Sequence, residues 1–242
     1  MKTVILVIVE GESDSEALYP WLKKIGKEFN ILFEITHGDV FTKKENKGKS
    51  PRNVIGSEIA KFKQKSKIRD ENILAVFQLT DTDGVFISDE NIVIDQSVTK
   101  LQYTDSQILV KDTAHQDQTR KRNDQKRTFL IALSRTAKIK KSIYQIYYFS
   151  RNLEEITHNN PNLSEDDKVS EAENFSDSFV SVIEFEKFFN NKEFAVEGDY
   201  QQTWEFITKK CNSLNRYSNF HLLFASMKSM LEERDHGTNR LK

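Results

Sequence analysis

Two short acidic segments hold most of the chemistry this sequence offers. The first is "VIVEGESD", where Glu10, Glu12 and Asp14 follow an apolar run; the second is "LTDTDG", where Asp81 and Asp83 do the same. On an extended backbone, an Asp-x-Asp pair points both carboxylates to one side, so both can approach one cation. Gly11 and Gly84, next to the acids, free the backbone to turn. Clustered carboxylates with no cysteine or histidine beside them form an all-oxygen donor set, which suits a hard ion: Mg²⁺, with Mn²⁺ as a substitute. Without a cation or a proton such a cluster repels itself. Mg²⁺ held by a few carboxylates completes its shell with water and phosphate oxygens, which points to phosphoryl-transfer or phosphodiester chemistry. Acids also end strands and cap helices with no further purpose, and either segment alone would mean little. Two of them, each closing a buried strand, carry the functional reading.

A third segment, "IYYFSRNLEEITH", places Glu154, Glu155 and His158 just after another strand. Glu154 is a candidate ligand for a second metal, since two-metal nucleases need further carboxylates nearby. Glu155 reads as an ordinary acid in a helix first turn, favoured there by the dipole, and His158 as structural or exposed.

The elements that must position these residues are legible in the hydrophobic pattern. Residues 3–9, TVILVIV, form a continuous and mainly β-branched run, which marks a central parallel strand buried on both faces. Ser13 with Glu16 predicts a capped helix over about Asp14 to Glu28, faced by Leu18, Trp21, Leu22 and Ile25, with Pro20 inside it. "ILFEIT" is a second strand, and Ser50-Pro51 starts a second helix faced by Val54, Ile55, Ile59 and Phe62. Ile73–Leu79 and "SIYQIYYF" are further buried strands, while "NIVID" and "QILVKD" suggest an inserted hairpin. This order predicts an α/β fold, a mostly parallel sheet flanked by helices with an inserted hairpin and a C-terminal helical extension. Residues 1–158 would be the catalytic domain, with the insertion at about 86–125, and residues 159–242 an acidic loop and helical extension.

Composition sets the class. The chain of 242 residues is 37% hydrophobic with 17 Phe and 7 Tyr, enough for a folded core. Its one cysteine, Cys211, excludes an internal disulfide framework and a cysteine-rich zinc site. The apolar run before Glu10 is too short for a signal peptide or a membrane span, so a soluble cytoplasmic protein with no membrane partner is expected. A net charge of -1 conceals segregation: basic residues gather around Lys43 and Lys44 and in "TRKRNDQKR", which holds Arg120, Lys121, Arg122, Lys126 and Arg127. These runs read either as solvated surfaces or as phosphate contacts that track a nucleic-acid backbone without reading bases.

"VIVEGESD" resembles the first motif of the TOPRIM domain, a strand ending in Glu-Gly-x-x-Asp, and "LTDTDG" resembles the second, a strand ending in Asp-x-Asp-Gly. That domain occurs in type IA and type II topoisomerases, bacterial primases, ribosomal RNA maturation nucleases and OLD-family nucleases. The resemblance covers residues 3–85 and implies that Glu10 is a general acid/base or metal ligand and that Asp81 and Asp83 are metal ligands. It matches Asp14 to the acid that OLD-like members use at their metal site, and it gives Glu12 no counterpart. No topoisomerase tyrosine setting, primase zinc region or Walker A sequence is present. The chain is therefore similar in plan to free-standing TOPRIM proteins of bacterial phage-resistance loci, the RloB-like and OLD-related groups. The resemblance implies a Mg²⁺-dependent nuclease of DNA or RNA in anti-phage defence, with nucleic acid and a separately encoded ATPase as partners; a homo-oligomer is compatible with it. Two other readings stay open: a catalytically silent scaffold that binds nucleic acid or a partner ATPase, docking through the acidic stretch 154–199 and the aromatic helices after it, and an unrelated α/β phosphotransferase or phosphatase of Asp-x-Asp type with Asp81 as nucleophile.

Overall fold

The computed structural model describes residues 3–37, 46 and 48–239. Strand β1 (Thr3–Val9) leads through helix α1 (Glu12–Glu28) to β2 (Ile31–His37), and α2 (Pro51–Ser66) leads to β3 (Ile73–Asp81). A small insertion follows, with β4 (Ile92–Ile94), β5 (Gln102–Tyr103) and β6 (Ile108–Val110), then the long helix α3 (Thr113–Ser134), β7 (Lys138–Ile139) and β8 (Ser142–Phe149). The main sheet has the order β2-β1-β3-β8-β7; its first four strands are parallel and β7 is antiparallel at the edge. The chain is thus mixed α/β with a mostly parallel sheet, as its sequence predicts.

The unbroken apolar run of β1 has a direct cause. Ile5, Val7 and Val9 enter the core that contains α1, whereas Leu6 and Ile8 enter the opposite core beneath α2 and α3. Both faces of the strand are covered, so no polar residue interrupts it. Ser50 caps α2 as predicted, its hydroxyl accepting from the amide of Asn53. Helix α1 starts two residues earlier than expected and the Ser13–Glu16 box does not form. Asp14 reaches back instead, and its Oδ2 accepts from the amides of Glu10 (3.1 Å) and Gly11 (3.0 Å). A buried carboxylate at this turn satisfies two orphan amides that a solvent-facing serine would leave to water.

Two expectations change. The insertion is no hairpin: β4 and β6, the predicted pair, run parallel, and the antiparallel partner of β6 is the two-residue β5. The polar segment after residue 158 is not one long loop, because α5 (Lys168–Asp177) forms within it after α4 (Leu153–His158). Ala172 and Phe175 anchor α5 in the α1 core, and Trp21 donates its indole N–H to the Ser176 carbonyl at 2.8 Å. Several aromatic rings of the C-terminal helices are interior, while Val180 and Ile183 stay exposed. Phe185 and Phe189 of α6 (Val182–Phe189) are buried with Phe220 and with Phe224 of α8 (His221–Asn239) in that same core. Helix α7 (Tyr200–Ile207) closes the other face, where Trp204 packs edge-on against Tyr148. The described helices after residue 158 share a hydrophobic core with the sheet because β1, β3 and β8 must be covered on both sides. No helix among the described residues is long and apolar enough to cross a membrane.

Phe189 is fully buried and meets the rings of Phe185 and Phe220 at 5.1 and 4.6 Å. Phe189→Ala is expected to cost about 3–5 kcal/mol in urea unfolding. Ile183→Ser on the exposed side of the same helix should stay within about 0.5 kcal/mol of the parent.

Candidate functional site

In an open parallel sheet, ligands bind beyond the carboxyl ends of the strands where the strand order reverses. Here the chain passes from β1 outward to β2 and returns to the other side of β1 as β3, so the reversal lies between β1 and β3. Glu10 follows the end of β1, and Asp81 ends β3. Glu154 stands in the first turn of α4, directly after β8, the next strand of the sheet. Asp14 adds a fourth carboxylate from the first turn of α1. Glu10, Asp14, Asp81 and Glu154 line one cleft, which Glu165 and Lys168 flank from the α5 side. Glu12 at its rim is exposed, as expected of an acid with no counterpart.

Asp83 departs from its predicted role. Its backbone is left-handed (φ 50°), followed by Gly84 at φ 66°, so the extended geometry that would aim Asp81 and Asp83 the same way is lost. A side chain at position 84 would run into Leu214, which leaves glycine as the residue that fits this turn. The turn is anchored where the β3–β8 ladder continues past the strands, with the Thr82 amide donating to the Phe149 carbonyl and the Asp83 amide to the Arg151 carbonyl. Asp83 consequently faces α3: Oδ2 lies 2.5 Å from the Lys126 ammonium, and Oδ1 accepts from the Tyr103 hydroxyl at 3.2 Å.

Lys126 is the centre of the arrangement. It is only 4% exposed, and its ammonium also lies 3.3 Å from both oxygens of Glu10, which in turn accepts from the Thr80 hydroxyl. Burial disfavours each charge, but the carboxylates of Asp83, Glu10 and Asp81 more than restore the lysine, which stays protonated beyond its ordinary range. Burial likewise raises Asp83, and Lys126 with Arg122 outweighs it, bringing the acid down to about 2. The remaining acids shift the other way. Burial raises Glu10, with Lys126 opposing and Asp83 adding to the rise. Burial and the charges of Glu10 and Glu154 bring Asp14 to about 7 against its two backbone hydrogen bonds, and Asp81 rises well above the usual range through burial and the charges of Asp14, Glu10 and Glu154. One lysine therefore neutralises the α3 side of the cluster, while Asp14 and Asp81 hold their protons more tightly than ordinary carboxyls do.

Among the described residues, no three His, Cys, Asp or Glu side chains form a ready metal-binding group. The contacts explain this: Lys126 stands between Glu10 and Asp83, and one oxygen of Asp14 is committed to backbone amides. The donor set nevertheless fits a hard cation. It is entirely oxygen, it is under-neutralised, and Oε2 of Glu154, in a residue 6% exposed, has no hydrogen-bond partner. The ammonium of Lys168, 3.8 Å from Oε1, is the nearby positive charge.

The other predicted residues divide between site and scaffold. Lys121, Arg122 and Lys126 line a second, cationic cleft on the far side of Asp83. Arg120 donates instead to the Asp89 carbonyl, and Arg127 to the carbonyls of Val85 and Ile87, so both guanidinium groups hold the segment after Asp83 against α3. Lys43 and Lys44 lie outside the described residues. Glu155 pairs with Arg151 in the interior, and His158 bridges α4 to Glu171 of α5. Tyr103 and Lys168 escaped the sequence reading, since one sits in a two-residue strand and the other in a segment without periodicity. Lys126 did carry a signal: the buried residues of α3 are Thr119, Asn123, Lys126, Leu130 and Leu133, a single stripe at helical spacing on which a lysine is out of place.

Comparison of the chain with protein-family models, with curated proteins and with solved structures returned no significant match.

The raised acids fix the sign of a pH effect. A carboxyl whose folded value lies above its unfolded value binds its proton more tightly when folded. Its contribution is fully present below about pH 4 and is lost as pH climbs through the folded value, about 7 for Asp14. Asp83 and Lys126 titrate outside this window. In a chelator, stability is expected to fall between about pH 5 and pH 8, and Mg²⁺ should restore more of it at the upper end. Thermal melts with and without Mg²⁺ check this, and Asp81→Asn should flatten the slope and remove the Mg²⁺ increment. Lys126→Met, which leaves Glu10 and Asp83 buried without their counter-charge, should lose about 3–5 kcal/mol in urea unfolding near neutral pH.

Proposed function

We propose that this chain is a TOPRIM-like, Mg²⁺-dependent nuclease that hydrolyses phosphodiester bonds of DNA or RNA in the bacterial cytoplasm, as part of anti-phage defence and alone or beside a separately encoded ATPase. The observation that carries the reading is the convergence of Glu10, Asp14, Asp81 and Glu154 on the switch-point edge of a parallel sheet, beside a cationic cleft. Asp81, Glu154 and Glu10 are the residues suited to hold the metal, with Asp83 available once Lys126 releases it. A bound Mg²⁺ would supply positive charge for the attacking and leaving oxygens.

The chain's own groups supply the rest. Glu10, with its affinity for a proton raised by burial, is suited to accept one from the attacking water. Lys126 and Arg122 bring fixed positive charge to the boundary between the two clefts, where a scissile phosphate would gain negative charge in its transition state. Thr80 holds the Glu10 carboxylate in place through its hydroxyl.

One observation favours the scaffold reading: Lys126 already neutralises Glu10 and Asp83, as it would in a site that binds nucleic acid without cutting it. Activity separates the two. Cleavage of labelled single- and double-stranded DNA and RNA in Mg²⁺ or Mn²⁺, alone and with the neighbouring gene product, is expected to fall by on the order of 10²–10⁴-fold in Glu10→Gln. Asp81→Asn should lose activity with it while keeping nucleic-acid binding. Absence of cleavage in every combination, with binding intact, would leave the scaffold.

A further inference from the structure

The cationic cleft has a size and a polarity of its own. It encloses about 520 Å³, within the range of about 300–1,000 Å³ typical of small-molecule sites. One wall is a face of α3: His115, Gln118, Thr119, Arg122, Gln125 and Lys126 recur at intervals of three and four residues, and none is a large apolar residue. The opposite wall comes from the insertion and contains Leu101 and Val110, with Lys100 and Lys111 at its mouth beside Lys121. Lys100, Lys111 and Lys121 are exposed, whereas Val110 is buried. The part-exposed Leu101 gives this wall its accessible apolar side chain, and with the cations across from it the cleft suits a ligand with a weakly polar body and an anionic group.

Its position adds a constraint. Asp83 and Lys126 line this cleft, and Lys126 also holds Glu10, which lines the acidic cleft. A group bound among the lysines therefore lies one side chain away from the carboxylates. Guanidinium and ammonium groups of this kind recognise phosphate, and an apolar side chain such as Leu101 can cover a base in a pocket that otherwise offers amides and hydroxyls.

We propose that the cationic cleft is a subsite for one unpaired nucleotide, its base against the Leu101 wall and its phosphate toward Lys121, Arg122 and Lys126, and that the chain therefore takes single strands or frayed ends rather than intact duplex. This names the substrate class for the nuclease reading and rests on it for the role of the neighbouring carboxylates. A base in a duplex is stacked and paired, and it enters a cleft of this size only after it has been taken out of the stack.

Binding in a chelator tests the subsite apart from cleavage. The probes are a 5′-phosphorylated, 3′-fluorescein strand of about 12 nucleotides, chosen to span the usual single-strand footprint, and the same strand annealed to its complement. Each is titrated with the full chain and followed by anisotropy at low salt. The single strand is expected to bind at least about tenfold more tightly than the duplex. Free nucleoside monophosphate should compete for the site, which separates recognition of a nucleotide from recognition of a long polyanion. Lys111→Ala with Lys121→Ala, both at exposed positions, should weaken the single strand about tenfold and the duplex much less, while Lys209→Ala outside the cleft changes nothing. Equal affinity for duplex, or single-strand binding indifferent to the Lys111/Lys121 pair, overturns the subsite. Single-strand preference without any cleavage in Mg²⁺ or Mn²⁺, alone or with the neighbouring gene product, would sink the nuclease reading and keep the subsite; cleavage of duplex with no strand preference would do the reverse.

Discussion

A buried ammonium holds this sheet edge together. Four carboxylates and Asp83 crowd the ends of three adjacent strands, and removing several like charges from water is among the least favourable arrangements a fold can contain. Lys126 answers part of that repulsion by entering from α3 and touching two acids at once. Its reach sets the rest of the geometry: α3 must pack close to the strand ends, and Asp83 must turn out of the extended conformation toward it. The segment after Asp83 is then fastened by Arg120 and Arg127. Where the lysine does not reach, around Asp14 and Asp81, the carboxyls rise toward neutrality, and this unbalanced half is the part of the edge suited to a divalent cation.

The distribution of charge also explains why two clefts of opposite sign adjoin. A carboxylate cluster alone repels a phosphate, and a lysine cluster alone cannot hold a metal. Here the two stand on either side of one ion pair, the Lys126 ammonium with Asp83 and Glu10. The parallel strands supply the acidic half and the insertion with α3 supplies the basic half, so the two halves come from different layers of the fold.

How much of this the sequence disclosed depended on periodicity. The strands β1, β3 and β8 were legible because burial on both faces leaves mainly apolar runs, interrupted only by Gln78 within β3 and Gln145 within β8, and the acids at their ends stood out against them. Glu154 was visible for the same reason. The helix α5 was hidden, since Ala172 and Phe175 are too few to give a period amid acidic residues, and the packing of Trp21 above it is a tertiary fact. The insertion misled for a different reason: a two-residue strand such as β5 leaves no trace in hydropathy, so the parallel pairing of β4 with β6 could not be foreseen. The inward turn of Lys126 was concealed within a basic run of uniform appearance, although its place on the stripe with Leu130 and Leu133 distinguishes it.

The parallel register of β1, β3 and β8 has a consequence for the life of the molecule. Parallel neighbours cannot be joined by a tight turn, so each carboxylate reaches the edge only after a crossover segment has been folded over a face of the sheet. Glu10, Asp81, Lys126 and Glu154 lie far apart along the chain, and no two of them belong to one local unit. A nascent or proteolysed fragment thus holds isolated acids or an isolated basic helix, never the constellation. The charge cluster therefore exists only in a chain whose crossovers are all folded onto the sheet.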